Sequence, residues 1–269
     1  MRTGGIMQRC GFFSETESPS RGVVDLTLPV KRRRMGRVKA KPGEAGHEHL
    51  VQFYGGDDAR LGRNVARFLN ESLGNGGGAL IIASPARRES IARELACERA
   101  VFLDDKETLA ALLGSNGQPD AALFDARVGA VARELSEKYG DFRAYGEMVG
   151  VLWSQKSFTA AIALEGLWNA LIASAGFDLF CGYPIDVLSE DFQLACVHPL
   201  LDSHTRVVPA VAHNFDIAMR RAMDDVLGNR SDGLHSLRAE QMILRLRSTL
   251  PRYADNILAK AREYAQPSG

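Results

Sequence analysis

The hydrophobic pattern starts abruptly. Residues 1–46 show no apolar period, and then His49-Leu-Val-Gln-Phe-Tyr54 forms a strand-like run closed by Gly55-Gly56. Leu61, Val65, Phe68, Leu69 and Leu73 follow at helical spacing, with Asp57 or Asp58 as N-cap and Gly74 as stop. Ala79-Leu-Ile-Ile-Ala83 is a continuous apolar run of the kind a parallel sheet buries on both faces. Ser84-Pro85 opens a helix reaching about residue 96, and Ala100–Leu103 reads as a third strand. Residues 105–138 give two helices separated by the turn Gly114–Pro119. Phe142–Gly146 gives a fourth strand, and Val149–Ala175 is helical with a break near Gln155–Phe158. Phe177–Tyr183 is a fifth strand closed by Pro184, a short helix covers about 190–197, and His204–Val208 is a last strand.

Strands thus alternate with helices over 47–209. This predicts an α/β fold with a three-layer, mostly parallel sheet and right-handed crossovers. Ligands in such sheets bind beyond the carboxyl ends of the strands, here Tyr54–Asp58, Ser84–Arg87, Asp104, Gly146–Met148 and Tyr183–Asp186. Residues 210–269 differ: Leu, Ile and Met recur at helical spacing through 215–227 and 239–250, with a third helical stretch at 255–264, so a C-terminal helical appendage is expected.

Charge sharpens this division. The formal net charge is zero, but residues 1–46 hold ten Lys/Arg against four Asp/Glu, and 47–269 hold 23 against 29. The run Lys31-Arg-Arg-Arg34 reads as part of a disordered basic tail over 1–46. The mildly acidic remainder offers no nucleic-acid face. No apolar run reaches bilayer length, since Ala160–Ala175 is interrupted by Glu165 and Asn169, and no membrane association or secretory signal is expected. Cys10, Cys97, Cys181 and Cys196 form no CxxC pair, which points to free thiols in the cytoplasm.

Several side chains carry candidate chemistry. Glu147 follows a strand in an apolar stretch, where a carboxylate needs a partner; it either holds a ligand hydroxyl or amine, or pairs with Arg143 or Arg87. Glu165, Trp168 and Asn169 share one helical face, with Trp153 a near-whole number of turns earlier. They frame a small amphipathic ligand or, for the tryptophans, simply pack the core. Tyr54 and Tyr183 stand at strand ends, and Cys181 reads as a buried inert thiol. His47 and His49 share a strand face but lack a third ligand nearby, and His198, His204 and His213 are dispersed, so no metal is expected. No Ser-His-Asp set, glycosidase-like carboxylate pair or dinucleotide fingerprint occurs, and no enzyme activity or cofactor is expected. Glu147, Glu165, Trp168 and Tyr183 are expected to approach one pocket, with Tyr54 and Trp153 completing the ligand-binding set.

Three further segments, Tyr145-Gly-Glu-Met-Val149 with Leu152-Trp153, Leu164-Glu-Gly-Leu-Trp-Asn169 and Phe177-Asp-Leu-Phe-Cys-Gly-Tyr-Pro184, join His49–Asp58 and Ala79–Pro85 in an order and spacing that resemble the MEDS domain. That family is the methanogen/methylotroph sensory domain, found in the dichloromethane regulator DcmR. The resemblance covers about three-fifths of the chain. It implies a RecA- or KaiC-like fold without nucleotide hydrolysis, sensing small hydrocarbon derivatives beside kinases or transcription regulators. The segment Tyr54–Gly62, where a RecA-like ATPase would carry its P-loop, has no Gly-Lys-Ser/Thr and instead brings Asp57 and Asp58.

The expectation is therefore a non-catalytic sensory domain that binds a small organic ligand and reports to a signalling partner, a homodimer being compatible with it. The alternatives are a ligand-free protein–protein scaffold and a degenerate nucleotide-binding protein. A chain starting at Gly46 is expected to keep the full-length melting temperature, because the tail lacks the apolar surface to join a core; a large drop in a calorimetric scan would contradict this.

Overall fold

A computed structural model of the protein describes residues 46–55, 58–96, 98–189, 192, 194–210, 213–228 and 234–265. The basic tail and Asp57 lie outside them. The elements run β1 (His49–Phe53), α1 (Asp58–Gly74), β2 (Gly78–Ala83), α2 (Pro85–Ala92), β3 (Ala100–Asp104), α3 (Asp105–Leu112) and α4 (Ala121–Phe124). A π-helical turn, Asp125–Gly129, joins α4 to α5 (Ala130–Tyr139). Then come β4 (Phe142–Gly146), α6 (Met148–Ser154), α7 (Phe158–Ala175), β5 (Asp178–Tyr183), α8 (Leu194–Ser203) and β6 (Arg206–Val207). Helices α9 (His213–Leu227), α10 (Ala239–Thr249) and α11 (Pro251–Ala265) complete the fold.

One six-stranded sheet has the order β3-β2-β4-β5-β1-β6, and every pairing in it is parallel. The order explains the layers. From β1 to β2 and on to β3 the chain moves one way across the sheet; from β3 to β4, β5 and β6 it moves the other way. Right-handed crossovers then force the connecting helices onto opposite faces. Leu61, Val65, Phe68, Leu69 and Leu73 of α1 and Ile91 of α2 cover one face, against Ala79, Ile81, Tyr145 and Phe180. The helices from α3 to α8 contribute to the other, against Val51, Leu80, Ala144, Leu179 and Cys181. Helices α9 to α11 extend that second core with Met219, Met223, Met242, Ile243, Leu246, Ile257 and Leu258.

The elements follow the expected pattern, with shifted ends: the helix read to about residue 96 stops at Ala92, and the stretch read at 255–264 begins at Pro251. The helix read at 190–197 is Leu194–Ser203 and runs through Pro199; burial of Val197 and Leu200 in the second core offsets the backbone bond that proline cannot donate. The last strand shrinks to two residues at the sheet edge. Helix α7 is long and apolar enough to cross a membrane by length and composition alone, but here it packs on the sheet through Ala160, Ala161, Leu164, Trp168, Leu171 and Ile172.

Close approach of α6 to β5 depends on Gly150, where a Cβ would lie 2.8 Å from the Gly182 carbonyl oxygen and 3.0 Å from Pro184. Gly166, on the exposed side of α7, would meet nothing within 4 Å. In urea unfolding, Gly150→Ala is expected to destabilise by about 1–3 kcal/mol through overpacking, and Gly166→Ala to stabilise by about 0.5–1 kcal/mol through helix propensity. Equal effects at the two sites would contradict the packing argument.

Candidate functional site

The reversal of chain direction creates crevices wherever neighbouring strands send their connections to opposite faces. These are the β3/β2, β2/β4 and β5/β1 boundaries. Ion pairs stand at the first two. Arg88 reaches Asp104 at 2.9 Å across the ends of β2 and β3. Between β2 and β4, Arg87 Nε donates to Glu147 at 2.7 Å, the Ser84 amide donates to the same carboxylate at 3.1 Å, and the Tyr145 hydroxyl does so at 2.8 Å. Arg87 also donates to Asp58 Oδ1 and to its carbonyl, and its guanidinium lies 5.4 Å from the centre of the Tyr54 ring. Burial, aided by the Glu147 charge and opposed by Arg87, pushes the Tyr54 phenol up to about 12, so it stays neutral at physiological pH.

The β5/β1 crevice is open. It is a cleft of about 430 Å³ lined by Phe53, Tyr54 and Gly55 after β1, by Ile185–Leu188 after β5, and by Asn214, Phe215, Glu240 and Ala265 from the C-terminal helices. Glu240 accepts from the Ala210 amide, while Arg247 donates to the Val187 and Ser189 carbonyls and Arg262 to that of Leu188. These bonds fix α10 and α11 to the segment that follows β5. A second cleft, of about 580 Å³, lies beside the edge strand β3 and is lined by the Arg88–Asp104 pair together with Phe102, Glu107 and Arg127.

A different cluster lies on the opposite side of the sheet from the Arg87–Glu147 pair, between α7 and the β1/β5 strands. Glu165 has no exposed surface. The Tyr183 hydroxyl donates to its Oε1 at 2.6 Å. His49 Nε2 lies 3.3 Å from Oε2, His204 Nε2 lies 3.4 Å from Oε1, and Cys181 Sγ lies 3.9 Å from Oε2. Burial alone would push the carboxyl upward; the charge and hydrogen bonding of His204, then of His49, outweigh it and hold Glu165 well below the ordinary carboxylate range. Burial and then the Glu165 charge push the Cys181 thiol and the Tyr183 phenol upward. One donor atom each from His49, Glu165, Cys181 and His204 lies within 4.8 Å of the others, a set able to hold a metal ion.

The expected single pocket therefore divides. Glu165 and Tyr183 do meet, and half-buried Trp153 packs edge-on against Tyr183 with ring centroids 5.7 Å apart. Trp168 lies in the core edge-on to Phe124 and Phe177. Tyr54 and Glu147 belong to the Arg87 cluster, because Glu147 is gripped from the α1/α2 side while α7 presents Glu165 to the other face. The expectation that His204 is dispersed fails, because β1, β5 and the α8–β6 turn converge on Glu165; Cys181 is a buried thiol, as read from the sequence. Sequence gave one hint, Asn169 at i+4 from Glu165, which accepts from His49 Nδ1 at 2.9 Å.

The fold and its clusters define an α/β domain with a cleft at a topological switch point. Residues 48–199 match the family model described as MEDS: MEthanogen/methylotroph, DcmR Sensory domain. The chain belongs to this sensory family. Neither the curated proteins nor the solved structures give a match.

The Arg87–Glu147 pair yields a prediction. Their side chains are only 11% and 9% exposed, so Arg87→Ala strands a buried carboxylate and is expected to cost about 3–5 kcal/mol, most of it recovered in Arg87→Met/Glu147→Leu. A loss below about 1 kcal/mol in chemical denaturation would show that Glu147 is already satisfied by Ser84 and Tyr145.

Proposed function

We propose that this chain is a non-catalytic sensory module, acting in the cytoplasm, that reads a small organic molecule in the β5/β1 cleft and passes its occupancy to a kinase or transcription regulator through α9–α11. One observation carries this reading: the cleft is walled on one side by strand ends of the MEDS domain and on the other by the C-terminal helices. A ligand there touches input and output together, and a ligand with different contacts in two arrangements of those helices shifts the balance between them. The cleft wall is mostly apolar, with Arg60, Asp186, Asn214 and Glu240 as polar groups, which suits a small molecule with one or two polar atoms.

Nucleotide hydrolysis fits poorly. The sequence lacks the phosphate-binding lysine and hydroxyl, and the β2/β4 crevice is crossed by the Arg87–Glu147 pair. A ligand-free scaffold is the second reading, favoured by the Arg87–Glu147 pair that bridges the β2/β4 crevice.

A panel of one- and two-carbon halides, alcohols and amines, each added to the full chain, separates these readings. At a hundredfold excess over Kd a true ligand stabilises by about 2.7 kcal/mol, so its Tm rise is easily read. Asn214→Trp, a surface change on the cleft wall, is expected to abolish that rise, and hydrogen exchange in α9–α11 to slow only in the unsubstituted protein. No response to any compound, or one that survives Asn214→Trp, would favour the scaffold.

A further inference from the structure

Among the described residues, the buried Glu165 carboxylate is met by His49, His204, Tyr183 and Cys181 rather than by a lysine or arginine. The hydrogen bonds around it fix which imidazole nitrogen carries the proton. His204 Nδ1 lies 2.6 Å from the Leu200 carbonyl oxygen, which only accepts, so Nδ1 carries hydrogen. Asn169 Nδ2 donates to the Ser203 carbonyl at 3.1 Å, which turns its Oδ1 toward His49 Nδ1 and places hydrogen there too. In the neutral form both rings therefore aim a bare Nε2 lone pair at Glu165. His204 Nε2 is buried and faces Glu165 Oε1 at 3.4 Å, longer than an ordinary hydrogen bond to a carboxylate.

Protons alone account poorly for this arrangement. A His204 imidazolium could pair with Glu165 while the Cys181 thiol donates to His49 Nε2, 3.4 Å away. A charge-assisted N–H···O bond, however, closes to about 2.7–2.9 Å, and the two histidine–carboxylate distances are 3.3 and 3.4 Å. Each is near a metal-ligand edge, though His49 faces Oε2 and His204 faces Oε1, and with Cys181 Sγ 3.9 Å from Oε2 and the four donors spread over up to 4.8 Å the set must contract by up to about an ångström around an ion. With zinc bonds of about 2.0–2.1 Å to nitrogen, 2.0–2.2 Å to oxygen and 2.3 Å to sulfur, neighbouring ligand atoms stand roughly 3.3–3.7 Å apart. Charge is compatible with this: one carboxylate and one thiolate neutralise a divalent ion and leave the core site without net charge while both imidazoles stay neutral. The outer contacts are also those of a metal site, where a ligating histidine gives its other N–H to a carbonyl or amide oxygen.

We propose that His49 Nε2, His204 Nε2, Cys181 Sγ and the Glu165 carboxylate bind one divalent transition-metal ion of the zinc type, in a closed site. Tyr183 and Asn169 are its positioning residues, one on the carboxylate and one on His49. Thiolate and imidazole donors select zinc, cobalt or iron over magnesium or calcium. The four ligands come from β1, α7, β5 and the turn before β6, so the ion fastens the chain leading to α9 onto the sheet. This site is separate from the cleft, and each proposal stands or falls without the other.

The test uses the full chain, stripped with a chelator and titrated with Co²⁺. Binding of one equivalent is expected, with tetrahedral d–d bands and a near-ultraviolet sulfur-to-cobalt band. Cys181→Ala loses the sulfur band, and Zn²⁺ displaces cobalt and raises Tm. Asn169→Leu keeps all four donors and is expected to weaken Zn²⁺ binding by about 10–100-fold, a measurement that holds even where a ligand variant fails to fold. A folded, stripped protein that gives no cobalt spectrum, a sulfur band that persists in Cys181→Ala, or Zn²⁺ affinity untouched by Asn169→Leu would overturn the proposal.

Discussion

Glu165 is fully buried in the middle of a helix whose neighbouring residues are mostly apolar. Ionised and alone, such a group would cost several kcal/mol at least, and the usual outcome is that it takes up a proton. Here His204 and His49, which the sheet brings from two sides, draw its carboxyl below the ordinary carboxylate range. His49 begins β1, which pairs with β5, and β5 carries Cys181 two residues before Tyr183. His204 arrives because β6 pairs with β1 and thereby fixes the turn before it. Strand order, helix placement and the register of β1 on β5 must all be right for one carboxylate to be tolerable, so this contact ties the second core together.

The same strand order sets the surface features. Had all crossovers run in one direction, the helices would lie on a single face and no crevice would open between strand ends. The reversal produces three, and local chemistry decides their fates. Arginines in the first turn of α2 meet carboxylates at the ends of β3 and β4: Arg87–Glu147 bridges one crevice, while Arg88–Asp104 stands in the wall of an open groove. Beyond β5 and β1 the chain offers Gly55 at positive φ and the Ile185–Leu188 segment, and there the gap is walled by helices rather than bridged by an ion pair.

Legibility followed range. Apolar runs such as Ala79–Ala83 and the Leu61–Leu73 stripe encode their element within a dozen residues, and the parallel sheet follows from their alternation. Glu165 was also readable as a buried carboxylate, because its helical neighbours are apolar. Its partners were not. His49, Cys181 and His204 lie 116, 16 and 39 residues away in the chain, and only the strand order makes them neighbours. Glu147 shows the reverse error. It and Glu165 both border strands of one sheet, which suggested one pocket, but whether a residue faces α1 or α7 depends on the register of each strand and the hand of each crossover. The choice between Arg87 and Arg143 was likewise a matter of placement: Arg143 points back to Glu71 and Asp178 at the other end of β4.

The buried cluster and the open cleft are joined by shared elements. Strand β1 has His49 at its start and Phe53, a cleft residue, at its end, so at about 3.3 Å per residue the two sites stand some 13 Å apart along one strand. Tyr183 bonds Glu165 and is followed two residues later by Ile185 in the cleft wall. Residues 204–210 make the other link, from His204 in the cluster through β6 to Ala210, which lines the cleft and donates to Glu240 of α10. A rigid strand transmits position but has no second arrangement to switch into. The 204–210 segment is anchored as well: the Thr205 and Val208 amides donate to the His49 and Val51 carbonyls, the Thr205 hydroxyl donates to the His49 carbonyl, and Asn64 donates to the Pro209 carbonyl. Both links therefore act as mounts that fix the cleft wall relative to the Glu165 cluster.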